Sequence, residues 1–213
     1  MECSIDEANN VFVVKNATQG RENEPTVMLQ AHTDMVCEKN IATQHDFTKD
    51  PISLIQEGNI LRANGTTLGA DDGFGVAIML AVLDDNSFSH PKIECLFTSS
   101  EEIGLVGASK FDYSKVTATQ MINLDSAEEN TIIIGCCGGL RSDMTLTCQT
   151  EENNKSAYRI TVGGLIGGHS GEDIDRKRLN SHILIGTILK SIKKTTNFKI
   201  AYISGGEGQC NPS

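Results

Sequence analysis

Long apolar runs are missing from the sequence. The longest, VAIMLAVL at residues 76–83, has eight residues, far short of the ~20 that a membrane-crossing helix needs. The first ten residues, MECSIDEANN, are acidic and polar rather than basic then apolar, so neither a signal peptide nor a membrane span is expected. Runs of lysine and arginine are missing as well. With 28 acidic against 18 basic residues and a formal net charge of -10, nucleic acid and anionic membrane are poor partners. No Cys-x-x-Cys or Cys/His zinc-finger spacing occurs. The seven cysteines are an odd number and include the adjacent pair in GCCGG at 135–139, a usage that implies reduced thiols and a cytoplasmic protein. There is no internal repeat and no low-complexity segment. What is left is a chain of 213 residues, long enough to bury a core without staples and to form one domain or a domain and a half.

The hydrophobic pattern predicts alternating strands and helices. VFVVK (11–15), TVMLQAH (26–32), KIECLFTSS (92–100), QMINLD (120–125) and TIIIGC (131–136) read as strands. ISLIQEGNILRA (52–63) reads as a hairpin about Gly58, and VGASKFD (106–112) as a short helix. GFGVAIMLAVLDD (73–85) is apolar on nearly every helical face, which predicts a helix buried against a sheet. Apolar strands separated by helices indicate an α/β layer with a mostly parallel sheet and flanking helices. After GGLRSDMTLTCQTEENNKSA (138–157) the pattern changes. YRITVGGL (158–165) and FKIAYISGG (198–206) read as strands, and Leu179, Ile183, Ile185, Ile188, Leu189 and Ile192 mark one amphipathic helix ending in Lys193 and Lys194. The expected division is one domain over 1–142 and part of an α+β second domain over 143–213.

Acidic residues gather at the ends of these elements. TVMLQAHTD leads a strand into His32 and Asp34, which share a face if the extended geometry continues. TTLGADDG carries Asp71 and Asp72 into the apolar helix, IECLFTSSEE ends in Glu101 and Glu102, and MINLD ends in Asp125. In an open α/β sheet the carboxyl ends of the strands are where ligands bind. Neighbouring carboxylates repel unless a cation or water separates them. One histidine among them gives nitrogen and oxygen donors without thiolate, a set that suits zinc, manganese or cobalt. Singly, a His-x-Asp or a Glu-Glu pair is commonplace and an acidic turn needs no ion. From spacing alone, a divalent-metal site and a set of solvated acidic loops both remain open. His45, His90 and His182 have no arrangement that argues for chemistry.

The strings LQAHTDMV, HDFTKDPI, RANGTTLGADDGFGVA, TSSEEIGLVGA, INLDSAEE, GCCGG and GGLIGGHSGEDI resemble, in order and along nearly the whole chain, the aminoacyl-histidine (Xaa-His) dipeptidases of the zinc aminopeptidase and aminoacylase superfamily. The resemblance implies a metallopeptidase, a hydrolase of dipeptides, with two divalent metal ions: zinc first, cobalt or manganese as alternatives. It implies His32 and Asp125 as ligands of one metal, Asp71 as the carboxylate bridging both, and Glu102 as ligand of the other. Asp34 would orient His32, and Glu101 would be the general base. His169 would reach the substrate from a lid domain that also forms a homodimer.

Two positions depart from the family: Asp72 stands where asparagine is usual, and Asp175 where histidine is usual. Relatives also supply a last histidine ligand from a region that follows the lid. GGEGQCNPS ends this sequence inside the lid, so the expectation is a portion of a longer gene product. The alternative is a non-catalytic relative that binds metal or a partner through an incomplete site.

Overall fold

A computed structural model of the chain describes residues 1–126, 128, 130–136, 138, 142–152, 154–167 and 174–205. Its central element is β6 (Ile93–Thr98), in which all six residues are buried. A strand buried throughout has to be covered on both faces, and this one is. On one edge β6 pairs in parallel with β3 (Val27–His32), and β3 pairs in parallel with β7 (Gln120–Asn123). On the other edge β6 pairs antiparallel with β2 (Val11–Lys15), and β2 with β1 (Glu2–Ile5). The sheet order is thus β1-β2-β6-β3-β7. The α/β class expected from the sequence is present, but the sheet is mixed rather than mostly parallel, because its first two strands join as antiparallel ribbons.

Strand alternation sorts the core onto the two faces. Val13, Ala31, Ile93, Cys95 and Phe97 meet Met79 and Leu83 of α1 (Ala70–Asp84). Burial there pushes the Cys95 thiol up to about 11, so it packs as a small inert hydrophobe. On the opposite face Phe12, Met28 and Leu96 meet Phe111 just past α2 (Val106–Lys110), with the Phe12 and Phe111 rings 5.6 Å apart. Each large side chain so buried contributes roughly 1.5–3 kcal/mol. The helix α1 has no basic residue in its last turn. Its terminal carbonyls are served from the sheet instead: buried Lys15 donates to Val82 O at 2.9 Å and Leu83 O at 3.1 Å, a cation at the negative end of the helix.

The hairpin forms as β4 (Leu54–Glu57) and β5 (Ile60–Ala63) about Gly58, whose φ of 61° is open to glycine at little cost. It is a separate sheet.

The chain divides into two units, Met1–Ile132 and Ile133–Ser213. In the second, α3 (Ser181–Ile192) is the amphipathic helix that the sequence predicts, capped by the Asn180 side chain accepting the Ile183 N–H at 3.1 Å. A 3-10 turn covers Ile174–Arg176. The strands expected at 131–136 and 158–165 are not formed, nor is one among the described residues of 198–206. Ile132, Ile134, Tyr158 and Tyr202 are all exposed. Alternating apolar residues allow a strand, but a strand exists only where a neighbour completes its ladder.

Candidate metal centre

Register delivers the site. In the β3–β6 ladder His32 lies opposite Thr98, and in the β3–β7 ladder Gln30 lies opposite Asn123. The main chain stays in step beyond the strand ends, with Thr33 N–H on Thr98 O at 2.8 Å and Leu124 N–H on Gln30 O at 2.9 Å. Hence Asp125 arrives beside His32 from one side and the Ser99–Glu102 turn from the other. The first residues of α1 close the third side.

His32 is 1% exposed and is the hub. Its Nε2 lies 3.0 Å from Asp71 Oδ1 and 4.0 Å from Asp125 Oδ2. Its Nδ1 is buried without a hydrogen-bond partner, with Asp34 Oδ1 3.5 Å away. Asp71 is exposed and Asp72 buried, so the two adjacent acids face different surroundings. Donor atoms of His32, Asp71 and Glu102 lie within 4.8 Å of one another, as do those of His32, Asp72 and Asp125. These two overlapping groups could hold metal ions.

Asp34 sits beside His32, but its hydrogen bonds go elsewhere. Its Oδ1 accepts the Glu101 N–H at 2.9 Å and its Oδ2 the Glu102 N–H at 3.1 Å. One carboxylate thus fixes the main chain of both glutamates. A second clamp comes from the β1–β2 turn. Buried Asn10 accepts the Ser99 N–H at 3.1 Å and donates to Gly107 O at 2.9 Å and Asp6 Oδ2 at 2.7 Å. Nothing in the residue pattern singled out Asn10. Its signal is weak: an amide one residue before Val11, the ladder partner of Phe97, in a turn of Asp and Asn.

The electrostatics are those of crowded acids. Burial raises the pKa of Glu101; the His32 charge opposes this, and Asp125, Glu102 and Asp34 add to it. Burial and then Asp71 raise Glu102, and the same two causes raise Asp125. Asp72 is raised by burial against its hydrogen bonds from His32 and Gly75. For His32 burial acts downward, but the Asp71 hydrogen bond and the charges of Asp125, Asp71 and Glu101 outweigh it and raise the imidazole. Carboxylates in this condition gain from a cation, and an imidazole with several carboxylates fits a divalent one. Glu101 and Asp125 also share a cavity of about 220 Å³ that runs over Met28, Leu96 and Met121.

Of the residues that the sequence assigned, Asp34, Asp71, Glu101, Glu102 and Asp125 are gathered around His32. His169 lies outside the described residues. Asp175 is in the 3-10 turn of the second unit.

Comparison with known proteins places this geometry. The profile of peptidase family M28 matches residues 10–162, which spans every element that contributes to the centre. The chain belongs to peptidase family M28. It is 40% identical over 203 residues to the cytosol non-specific dipeptidase of Escherichia coli, covering 94% of this chain and 42% of that protein. It is 33% identical over 112 residues to the uncharacterized protein YqjE of Bacillus subtilis, covering 51% of this chain and 28% of that one. Among solved structures, the aminoacylhistidine dipeptidase from Vibrio alginolyticus superposes with a TM-score of 0.62 at 36% identity, covering 91% of this chain and 40% of that one. This M28 chain therefore spans about two fifths of the length of the dipeptidases it matches.

Proposed function

We propose that this chain carries the metal-binding and general-base residues of a metal-dependent dipeptidase acting on Xaa-His dipeptides. The observation that carries the reading is the convergence of His32, Asp71, Glu102 and Asp125 on one sheet edge, with Glu101 held beside them by Asp34. The similarity to two dipeptidases supports dipeptides as the substrate class, and the Vibrio enzyme among them supports the preference for histidine. In this reading His32 and Asp125, Glu102 and the shared Asp71 would hold two divalent ions, zinc foremost and cobalt or manganese as substitutes. When bound, such ions polarise a scissile carbonyl and acidify water.

The remaining steps belong to the chain. Glu101 and Glu102 are consecutive, so one main-chain clamp positions both while their side chains take separate work. Glu102 falls within a donor group with His32 and Asp71. Glu101 faces the cavity that it shares with Asp125. Its raised pKa suits a group that accepts a proton from water and returns it to the leaving amine. Asp34 keeps that carboxylate in register, and its proximity to His32 Nδ1 also orients the imidazole. The catalytic part lies in residues 1–142. Residues 143–213 supply His169 toward substrate and a homodimer contact, in a cytoplasmic protein.

The test is hydrolysis of β-alanyl-histidine and of dipeptides lacking histidine, with zinc supplied, in the parent and in Glu101→Gln. Parent turnover that prefers histidine dipeptides, with a loss of about 10²–10⁴-fold in the variant at unchanged metal stoichiometry, is expected. Full activity in Glu101→Gln would remove Glu101 from the base role. Equal cleavage of dipeptides lacking histidine would widen the substrate class.

A further inference from the structure

Asp72 is not among the donors that the motif pattern assigns, yet it is built into the centre more firmly than Asp71. It is 4% exposed. Its Oδ2 accepts the main-chain N–H of His32 at 3.2 Å, and its Oδ1 accepts the N–H of Gly75 at 3.1 Å. The cradle is close-fitting: a Cβ on Gly75 would stand 2.4 Å from Asp72 Oδ1, so the neighbouring turn of α1 has room for the carboxylate only because residue 75 has no side chain. Two donors converging on two oxygens call for two acceptors. Asparagine offers one, and its NH₂ would face an N–H. A third observation ties the group to the candidate donors: an Asp72 oxygen lies within 4.8 Å of the donor atoms of both His32 and Asp125.

We propose that Asp72 is a positioning and charge-supplying residue of the His32–Asp125 subsite, which fixes His32 through its main chain and would add a negative charge beside a divalent cation held by those donors. The inference rests on the metal reading above and goes beyond its ligand set. A carboxylate hydrogen-bonded behind a metal ligand strengthens the site by fixing that ligand and by raising the field at the cation. Asp72 does both from one place, since the N–H it accepts belongs to the ligand residue itself.

The experiment is a titration of this chain with Co²⁺, followed by the visible absorption of the bound ion, in the parent, in Asp72→Asn and in Asp72→Ser. It is run at a temperature at which each variant is folded, with metal-free melting recorded alongside. The serine variant keeps a small acceptor for the Gly75 N–H and carries the test if the asparagine variant does not fold. Expected is an affinity weaker by about tenfold or more, with the absorption bands at saturation unchanged because the donor atoms are the same. An affinity within twofold of the parent, with only the metal-free melting point lowered, would reduce Asp72 to a cap of α1 and overturn the proposal. Bands that shift at saturation would overturn it too, by making Asp72 a ligand. Absence of Co²⁺ binding in the parent would instead remove the metal reading and this inference with it.

Discussion

Glu94 is a carboxylate with no exposed surface in the middle of the central strand, and it survives there because every lone pair is used. It accepts the Thr117 hydroxyl at 2.6 Å, the Thr117 N–H at 3.0 Å and the Ala118 N–H at 3.0 Å, and Lys92 Nζ lies 2.9 Å away. Burial pushes its pKa up, but the bonds from Thr117, Lys92 and Ala118 outweigh it and hold the group below its ordinary 4.5. A depressed folded pKa contributes stability that is complete above the unfolded value and is lost as pH falls through the folded one. Glu94→Gln should therefore cost about 1.5–3 kcal/mol near neutrality, and the gap from the parent should close as pH drops below ~4. Thermal melts of both proteins across that range check this; a gap that stays constant in acid would deny the carboxylate its role. None of this was legible beforehand. IECLF reads as a buried strand whatever its second residue does, and Thr117 and Ala118, which donate to Glu94, lie 23 and 24 residues away. His32, Glu102 and Asp125 could be picked out as candidate donors because a strand's end is visible in its apolar pattern and each lies at or just past such an end. Asp72 was visible only as a departure from a family habit, since its worth depends on the glycine cradle and on a main-chain N–H from another element.

Elements hold the centre through one turn, the link from β6 to α2. Asp34 grips it at Glu101 and Glu102, and Asn10 grips it at Ser99 and Gly107. Gly107 is where α2 comes closest: a Cβ there would stand 2.2 Å from Ser99 O and 2.5 Å from Asn10 Oδ1. One of these is main chain and cannot swing aside. Gly107→Ala should then destabilise by about 1–3 kcal/mol and displace the glutamates, while Asn10→Ala should cost about 1–3 kcal/mol by leaving buried groups unpaired. Denaturant midpoints measured beside zinc affinity decide the point. A fall in stability with zinc affinity untouched would show that the turn's position does not govern the donors. The same reasoning explains which elements could be read in advance. β2, β3, β6 and α1 announce themselves because burial writes apolar residues into them; β7 was readable from Met121 and Ile122 although all four of its residues are exposed. β1 does not, since all four of its residues are exposed and it forms only because β2 offers a ladder. The segments at 131–136 and 158–165 fail in the reverse sense, with strand-like composition and no ladder.

At the scale of the whole molecule, an acidic chain with net charge -10 concentrates carboxylates at one sheet edge, where, in the metal reading proposed above, protons and divalent ions would compete for them. The sign of that competition is fixed by the directions of the shifts. Glu101, Glu102, Asp72 and Asp125 have raised pKa values, so in the metal-free protein the folded state holds protons that the unfolded state has released, and stability falls as pH rises through the folded values. His32 is raised as well; its contribution is complete below the ordinary 6.5 and is lost as pH rises through the folded pKa. Both kinds of group lose stabilisation in the same direction, toward higher pH. A divalent ion supplies the positive charge that the departing protons leave wanting, and it must displace protons to bind. Zinc at 100 times its dissociation constant adds about 2.7 kcal/mol, and at a fixed zinc concentration the increment should grow from pH ~5 to pH ~8 as proton competition fades. Melting with and without zinc at each pH isolates this effect, since groups such as Glu94 act equally in both samples and cancel. An increment independent of pH, or one that shrinks toward pH ~8, would mean that the carboxylates around His32 are not the ion's ligands.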